Sequence, residues 1–149
     1  MFDPHDIIAI GSDHAGFKIK EHLIDHLRRL SFTFYDFGTV SEVSVDYPDI
    51  AHLLAKSIQD KTYKVGILIC GSGNGMAIVA NKYPDIRAAI CWNDVITKLA
   101  RKHNDANIMV LPGRFISPDD SLNLVKIFLS TDFEGGRHIP RIDKISHLL

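Results

Sequence analysis

One stretch limits what this chain can become more than any other: Val65 to Met76, VGILICGSGNGM. Val65-Gly66-Ile67-Leu68-Ile69 is short, apolar and β-branched, the pattern of a strand buried on both faces. It breaks into Cys70-Gly71-Ser72-Gly73-Asn74-Gly75, and a helix-compatible segment, Met76-Ala77-Ile78-Val79-Ala80, follows. In such a strand–loop–helix unit the loop lies at the carboxyl end of the strand, where open α/β sheets bind ligands. Three glycines remove the side chains that would keep a ligand from the backbone N–H groups. Those groups, with the helix N-terminus, favour a negative charge. A thiol, Cys70, stands at the edge of this anion-accepting loop.

The rest of the chain repeats the same alternation. Ile7 to Ile10 reads as a first strand, ending in Gly11-Ser12-Asp13-His14-Ala15-Gly16, and from Phe17 the apolar spacing is helical, with Phe17, Leu23, Ile24, Leu27 and Leu30 on one face. Aromatic, β-branched Phe32 to Phe37 is a second strand. Residues 38 to 48 form a loop, and Ile50 to Ile58 a helix. Beyond the glycine loop, Ile86 to Cys91 is a fourth strand, residues 94 to 102 a helix, and Asn107 to Leu111 a fifth strand. Ser117-Pro118-Asp119-Asp120 is a strong helix start: a capping serine, a proline at the first position and acids in the first turn. The order βαβαβαβαβα predicts a mostly parallel sheet with helices on both faces. Gly135-Gly136 then breaks the chain, and Pro140 opens a last helix with apolar Ile142, Ile145 and Leu149. No strand follows that helix, so it packs on its own sheet or on a second subunit.

At 149 residues, one domain spanning 1–149 is expected, large enough for a real core. A formal net charge of −1 gives no support for nucleic acid or an anionic membrane as partner, so any phosphate site is local. Two cysteines make neither a disulfide framework nor a CxxC metal site, which points to a reducing, cytoplasmic setting. The opening MFDPHD lacks the basic and apolar regions of a signal peptide, and no apolar run approaches the roughly 20 residues that span a bilayer.

Five polar clusters fall after strands or at a helix start: Asp13-His14, Asp46-Tyr47, Cys70 with Ser72, His103-Asn104, and Arg137-His138 with Arg141. Each has a bland reading. Asp13 can merely cap a helix, His103 can be a solvated loop histidine, Cys70 a small buried hydrophobe, and the two arginines a solvated terminus. Their joint placement counts for more, because a doubly wound sheet is expected to bring the first four to one rim. The set suits a small phosphorylated substrate. Arg137 and Arg141 flank a helix start and can clamp a phosphate, while the glycine loop stabilises an oxyanion at the other end. A thiol near a helix N-terminus has a lowered pKa and can act as general base or nucleophile. The loop is not a dinucleotide fingerprint, since Met76 stands where its final small residue is required, although Asp94 lies roughly 20 residues on. No GxxxxGK[ST] is present, and Met76 ends the loop where cysteine phosphatases require an arginine to cradle the phosphate.

Five separated motifs carry a resemblance: GSDHAGFKIK near the start, DYPD at 46–49, ILICGSGNGMAIVANK at 67–82, RKHNDANIMVLPGR at 101–114 and FEGGRHIPRI at 133–142. Together, in this order and over nearly the whole chain, they resemble the type B ribose-5-phosphate isomerases, a family shared with galactose- and allose-6-phosphate isomerases. The resemblance implies a Rossmann-like five-stranded parallel sheet in a homodimer, often paired into a tetramer, with each active site at the subunit boundary and the C-terminal helix on the partner. It implies neither metal nor cofactor. His103 matches the histidine that helps open the furanose ring, and Cys70 the base that moves a proton between C2 and C1 through a cis-enediolate. Gly71, Gly73, Asn74 and Gly75 match the backbone anion hole, and Ser72 the residue that shuttles protons between the two oxygens. Asp13, Tyr47 and Asn104 match groups that bind sugar hydroxyls. His14, Arg114, Arg137 and Arg141 match the phosphate set, with His138 a weaker member. One branch of the family has Ser at the position of Cys70 and a Glu base at that of Met76; here Cys70 is present and the Glu is not. A six-carbon 6-phosphate sugar, or sugar-phosphate binding without catalysis, are the competing readings. The galactose enzyme divides the motifs between two chains, whereas this chain holds both sets, which favours a homomer and the pentose.

Overall fold

The computed structural model describes residues 2 and 5–146. Five strands, β1 (Ile8–Ser12), β2 (Phe34–Asp36), β3 (Val65–Cys70), β4 (Ala88–Ile90) and β5 (Ile108–Pro112), form one parallel sheet in the order β2-β1-β3-β5-β4. Between and after them run α1 (Phe17–Arg28), α2 (Tyr47–Gln59), α3 (Asn74–Ala80), α4 (Asp94–Lys102) and α5 (Pro118–Ser130). A 3-10 turn at Gly136–His138 leads into a short α6 (Ile139–Asp143). The Rossmann-like five-stranded parallel sheet expected from the sequence is the fold observed.

The strand side chains alternate between two cores, as the period of two requires. Ile8, Ile10, Val65, Ile67, Ile69, Met109 and Leu111 face α1 and α5, meeting Leu23, Leu27, Leu124 and Phe128. Ala9, Leu68, Cys70, Ile108 and Val110 face α2 and α3, meeting Leu54, Met76 and Ala80. All of β3 is buried, and at roughly 1.5–3 kcal/mol for each large apolar side chain the central strands stabilise the fold most per residue. Cys70 thus belongs by register to the α2/α3 side, with its sulfur at the sheet's carboxyl edge.

Several boundaries differ from those read in the sequence. The second and fourth strands are three residues long, not six: both are edge strands, paired on one side only. The second helix starts at Tyr47 rather than Ile50, because Asp46 is the last extended residue before it and Pro48 fits the first turn. Asn74 and Gly75 open α3 instead of lying in the loop. Of the residues assigned to the last helix, Ile142 lies in it, Ile145 lies in a turn beyond it, and Leu149 falls outside the described residues. Among the described residues no helix is long and apolar enough to cross a membrane.

Candidate active site

At the point where β1 leads to one side of the sheet and β3 to the other, a cleft of about 390 Å³ opens at the carboxyl edge. Asp13, His14, Tyr47, Cys70, Gly71, Ser72, Gly75, Arg114 and Phe115 line it. A doubly wound sheet binds ligands at such a switch point. Backbone hydrogen bonds lock the loops together: the Asp13 N–H donates to the Ile69 carbonyl (3.1 Å), Gly113 to Cys70 (2.8 Å) and Arg114 to Gly71 (3.0 Å).

The side chains are held with equal definition. Asp13 Oδ1 accepts from the N–H groups of Ala15 (2.9 Å) and Gly16 (3.0 Å), so its turn-capping role is real and fixes the carboxylate at the cleft. His14 Nδ1 accepts from the Val45 N–H at 3.3 Å, which leaves the proton of the neutral ring on Nε2. Ser72 Oγ accepts from the Asn74 N–H at 3.3 Å. Gly73 has φ +81°, a left-handed turn into α3 that a side chain would strain. Gly75 has a different reason: a Cβ there would lie 2.6 Å from the Tyr47 ring, so the glycine admits the tyrosine to the cleft wall. Cys70 is only 4% exposed, its sulfur presented through the cleft floor.

The other predicted residues lie elsewhere. His103, Asn104, His138, Arg141, Ile142 and Ile145 line a second cleft, also about 390 Å³. The expected single rim is therefore wrong for His103-Asn104. They follow α4 and precede β5, and a helix running back along a parallel sheet ends at the amino edge. The Asn104 carbonyl accepts from Arg87 Nε (3.0 Å), just before β4 starts. The buried Arg101 guanidinium reaches Asp105 Oδ1 (2.9 Å) and the Ala106 carbonyl (2.6 Å) and so holds the same turn. The C-terminal segment is pinned to this edge: the Glu134 N–H donates to the Lys102 carbonyl (3.0 Å), and Ser146 Oγ donates to the Pro84 carbonyl. The expected phosphate set is divided, with His14 and Arg114 in the first cleft and Arg141 in the second; Arg137 is exposed beside the second without lining it. Gly73 and Asn74 line neither.

In the second cleft the rings of His103 and His138 stack with centroids 4.3 Å apart and planes 16° from parallel. Burial pushes the His138 imidazole below the usual histidine range, aided by His103, Arg137 and Arg141 and opposed by Glu134. His103, Glu134 and His138 each offer a ligand atom within 4.8 Å of the others. Near-parallel rings, however, keep their in-plane lone pairs from converging on a single ion, so this trio fits a proton-handling group better than a metal site.

A family model described as Ribose/Galactose Isomerase matches residues 8–145. The chain belongs to that family. It is 44% identical to a putative sugar phosphate isomerase of Rickettsia bellii over 93% of this chain and 96% of that one. A crystal structure of a ribose 5-phosphate isomerase from Thermotoga maritima is 50% identical, with a TM-score of 0.93 and 95% and 98% of the two chains covered. The ribose-5-phosphate isomerase B of Mycoplasma genitalium with bound ribulose-5-phosphate is 39% identical, with a TM-score of 0.89 and coverage of 94% and 93%.

Two residues of this isomerase escaped the sequence reading. Phe115, 77% exposed, forms a wall of the Cys70 cleft; its only signal was a large aromatic directly after the turn that ends β5. Glu134 faces both stacked histidines, and an acid ahead of two glycines reads in sequence as solvated surface.

Proposed function

We propose that the chain is an aldose–ketose isomerase that interconverts ribose 5-phosphate and ribulose 5-phosphate, at sites each built from two copies of the chain. The observation that supports this most is the thiol of Cys70 at a switch-point cleft whose walls offer a carboxylate, a phenol, a hydroxyl and glycine-loop amides. A proton on a carbon beside a carbonyl is weakly acidic, so the site must stabilise the enediolate more than the sugar. Cys70, as thiolate, takes the proton from C2 of the open-chain aldose, and negative charge builds on O1. Amides around Gly71 and Gly75 meet that charge without reorganising. Ser72 carries the O2 proton to O1, and Cys70 returns its proton to C1. C2 is left as the ketone, and no proton is gained or lost.

His103, Asn104, Arg137 and Arg141 take part from a neighbouring copy. A five-residue strand is about 17 Å long, so residues at opposite edges of one sheet cannot share a five-carbon substrate. A second copy presenting its amino edge and C-terminal segment to the Cys70 cleft brings the sets together: His103 opens the furanose ring and the arginines hold the phosphate. The cytoplasm is the compartment that suits two free cysteines. Ketose formation from ribose 5-phosphate and allose 6-phosphate, assayed side by side without added metal or nucleotide, tests the reading. Turnover of the pentose is expected; turnover of the hexose alone moves the assignment to the six-carbon branch, and turnover of neither removes it.

A further inference from the structure

Glu134 has no part in the chemistry so far, yet it is the acid that faces both rings of the second cleft. Its Oε2 lies 4.0 Å from His103 Nε2 and its Oε1 3.9 Å from His138 Nε2. His138 is 4% exposed, and its Nε2 is a buried polar atom with no hydrogen-bond partner among the described residues. His103, by contrast, is about a third exposed at the mouth of the cleft. The Glu134 N–H is tied to the carbonyl of Lys102, the residue before His103, so backbone and side chain reach the same turn.

We propose that Glu134 is a positioning residue that acts through His103 in opening the sugar ring, with the His138 ring stacked beneath. The inference rests on the ring-opening role proposed above for His103. Opening moves one proton from the O1 hydroxyl to the ring oxygen O4, as the C1–O4 bond breaks and C1=O1 forms. A histidine that carries this proton is an imidazolium in transit. A carboxylate beside Nε2 stabilises that charge and keeps the resting proton on Nε2, which turns the Nδ1 lone pair to the sugar. At 4.0 Å the contact is longer than a hydrogen bond, and catalytic contacts of this kind tighten as charge develops. His138 has the opposite part. Two stacked rings cannot both be cationic at small cost, and burial disfavours the charge on His138, so His138 does not compete for the proton that passes through the pair.

The chemistry supplies a test that separates this from a merely structural role. Ribulose 5-phosphate has its O5 esterified and cannot close to a furanose, so exchange of its C1 proton with solvent deuterium reports the enediolate step alone. In the full-length Glu134→Gln enzyme, turnover of ribose 5-phosphate is expected to fall roughly ten- to a hundredfold, part of the 10²–10⁴ typical of positioned acid–base groups. Deuterium uptake into ribulose 5-phosphate, followed by proton NMR, is expected to stay within about twofold of the parent. Glu134→Asp, which keeps the charge, is expected to recover much of the lost turnover. Equal losses in both assays, or no loss in either, would overturn the proposal. A parent enzyme that exchanges ribulose 5-phosphate but handles ribose 5-phosphate unchanged after His103→Asn would instead sink the role of His103 on which the inference stands.

Discussion

The two clefts are of one size and of opposite construction. The Cys70 cleft is made by backbone: three loops bonded to one another across β1, β3 and β5, a glycine that admits a tyrosine ring, and a sulfur rooted in the α2/α3 core. The His103 cleft is made by side chains at the end of a helix, a 3-10 turn and a five-residue α6, which has no buried residue of its own. Chemistry that needs fixed dipoles sits where the main chain is locked on every side. The groups proposed to meet the substrate from a second copy sit on a segment with spare surface. The difference teaches why the proposed site needs two copies: each cleft holds one part of the expected set, and a second copy would also cover the exposed apolar Phe115, Ile139 and Ile145.

The sharpest way to break the contrast is to remove the sulfur. Cys70→Ala is expected to lower kcat by at least the 10²–10⁴ of a general base, with sugar-phosphate affinity measured by calorimetry nearly intact. Near-normal turnover would take Cys70 out of the base role. Next comes a mixing experiment on the division itself. Cys70→Ala and His103→Asn proteins, each inactive, are co-refolded at equal concentration. If each site takes its thiol from one copy and its imidazole from another, half of the dimers are mixed and one of their two sites is whole. Activity should then return to about a quarter of the parent value. No recovery despite mixed dimers would mean that a single chain furnishes both groups.

A smaller effect is expected from Gly75→Ala. The new methyl would lie 2.6 Å from the Tyr47 ring, and the ring, being on the surface side, turns away at less cost than a core residue would. KM for ribose 5-phosphate should rise about tenfold, equivalent to about 1.4 kcal/mol, while kcat changes little. A Tyr47→Phe, Gly75→Ala double variant no worse than either single one would place both changes on the same contact. An unchanged KM would show that the phenol does not touch the sugar.

Much of this was legible in residue order, for reasons that differ along the chain. The α4 and α5 boundaries are local: Asn93 Oδ1 accepts from the Ile96 N–H and Ser117 Oγ from the Asp120 N–H, so the side chains that start those helices are written beside them. The central β3 is legible because burial on both faces removes every polar residue from it. The edge strands are not: Phe32 has the composition of a strand but its N–H turns back to the Leu27 carbonyl, and Phe37 makes one last bond to Ile10 of β1 before the chain leaves the sheet. His103 was misplaced for a different reason. Its composition resembles that of a ligand loop, and only its position after a helix, not a strand, shows that it belongs to the far edge. Glu134 could not be found at all from spacing, because Gly135-Gly136 breaks the helical register that would have related it to His138.

The subtlest expected effect concerns His138. Burial holds its imidazole below the usual value of 6.5, so in the folded chain it stays neutral at a pH where the unfolded chain has taken up a proton. The unfolded state then binds more protons, and stability rises with pH through this window. Above about pH 7 both states are neutral and His138 contributes no slope; as pH falls below 6.5 the stability falls, until the folded-state pKa is passed. Denaturant midpoints of the parent should therefore drop between pH 7 and pH 5 by more than those of a His138→Gln variant, which has no proton to take up. Parallel pH profiles for the two proteins would mean that His138 ionises as easily in the fold as outside it, and burial would then give no reason for that ring to stay neutral in the stacked pair.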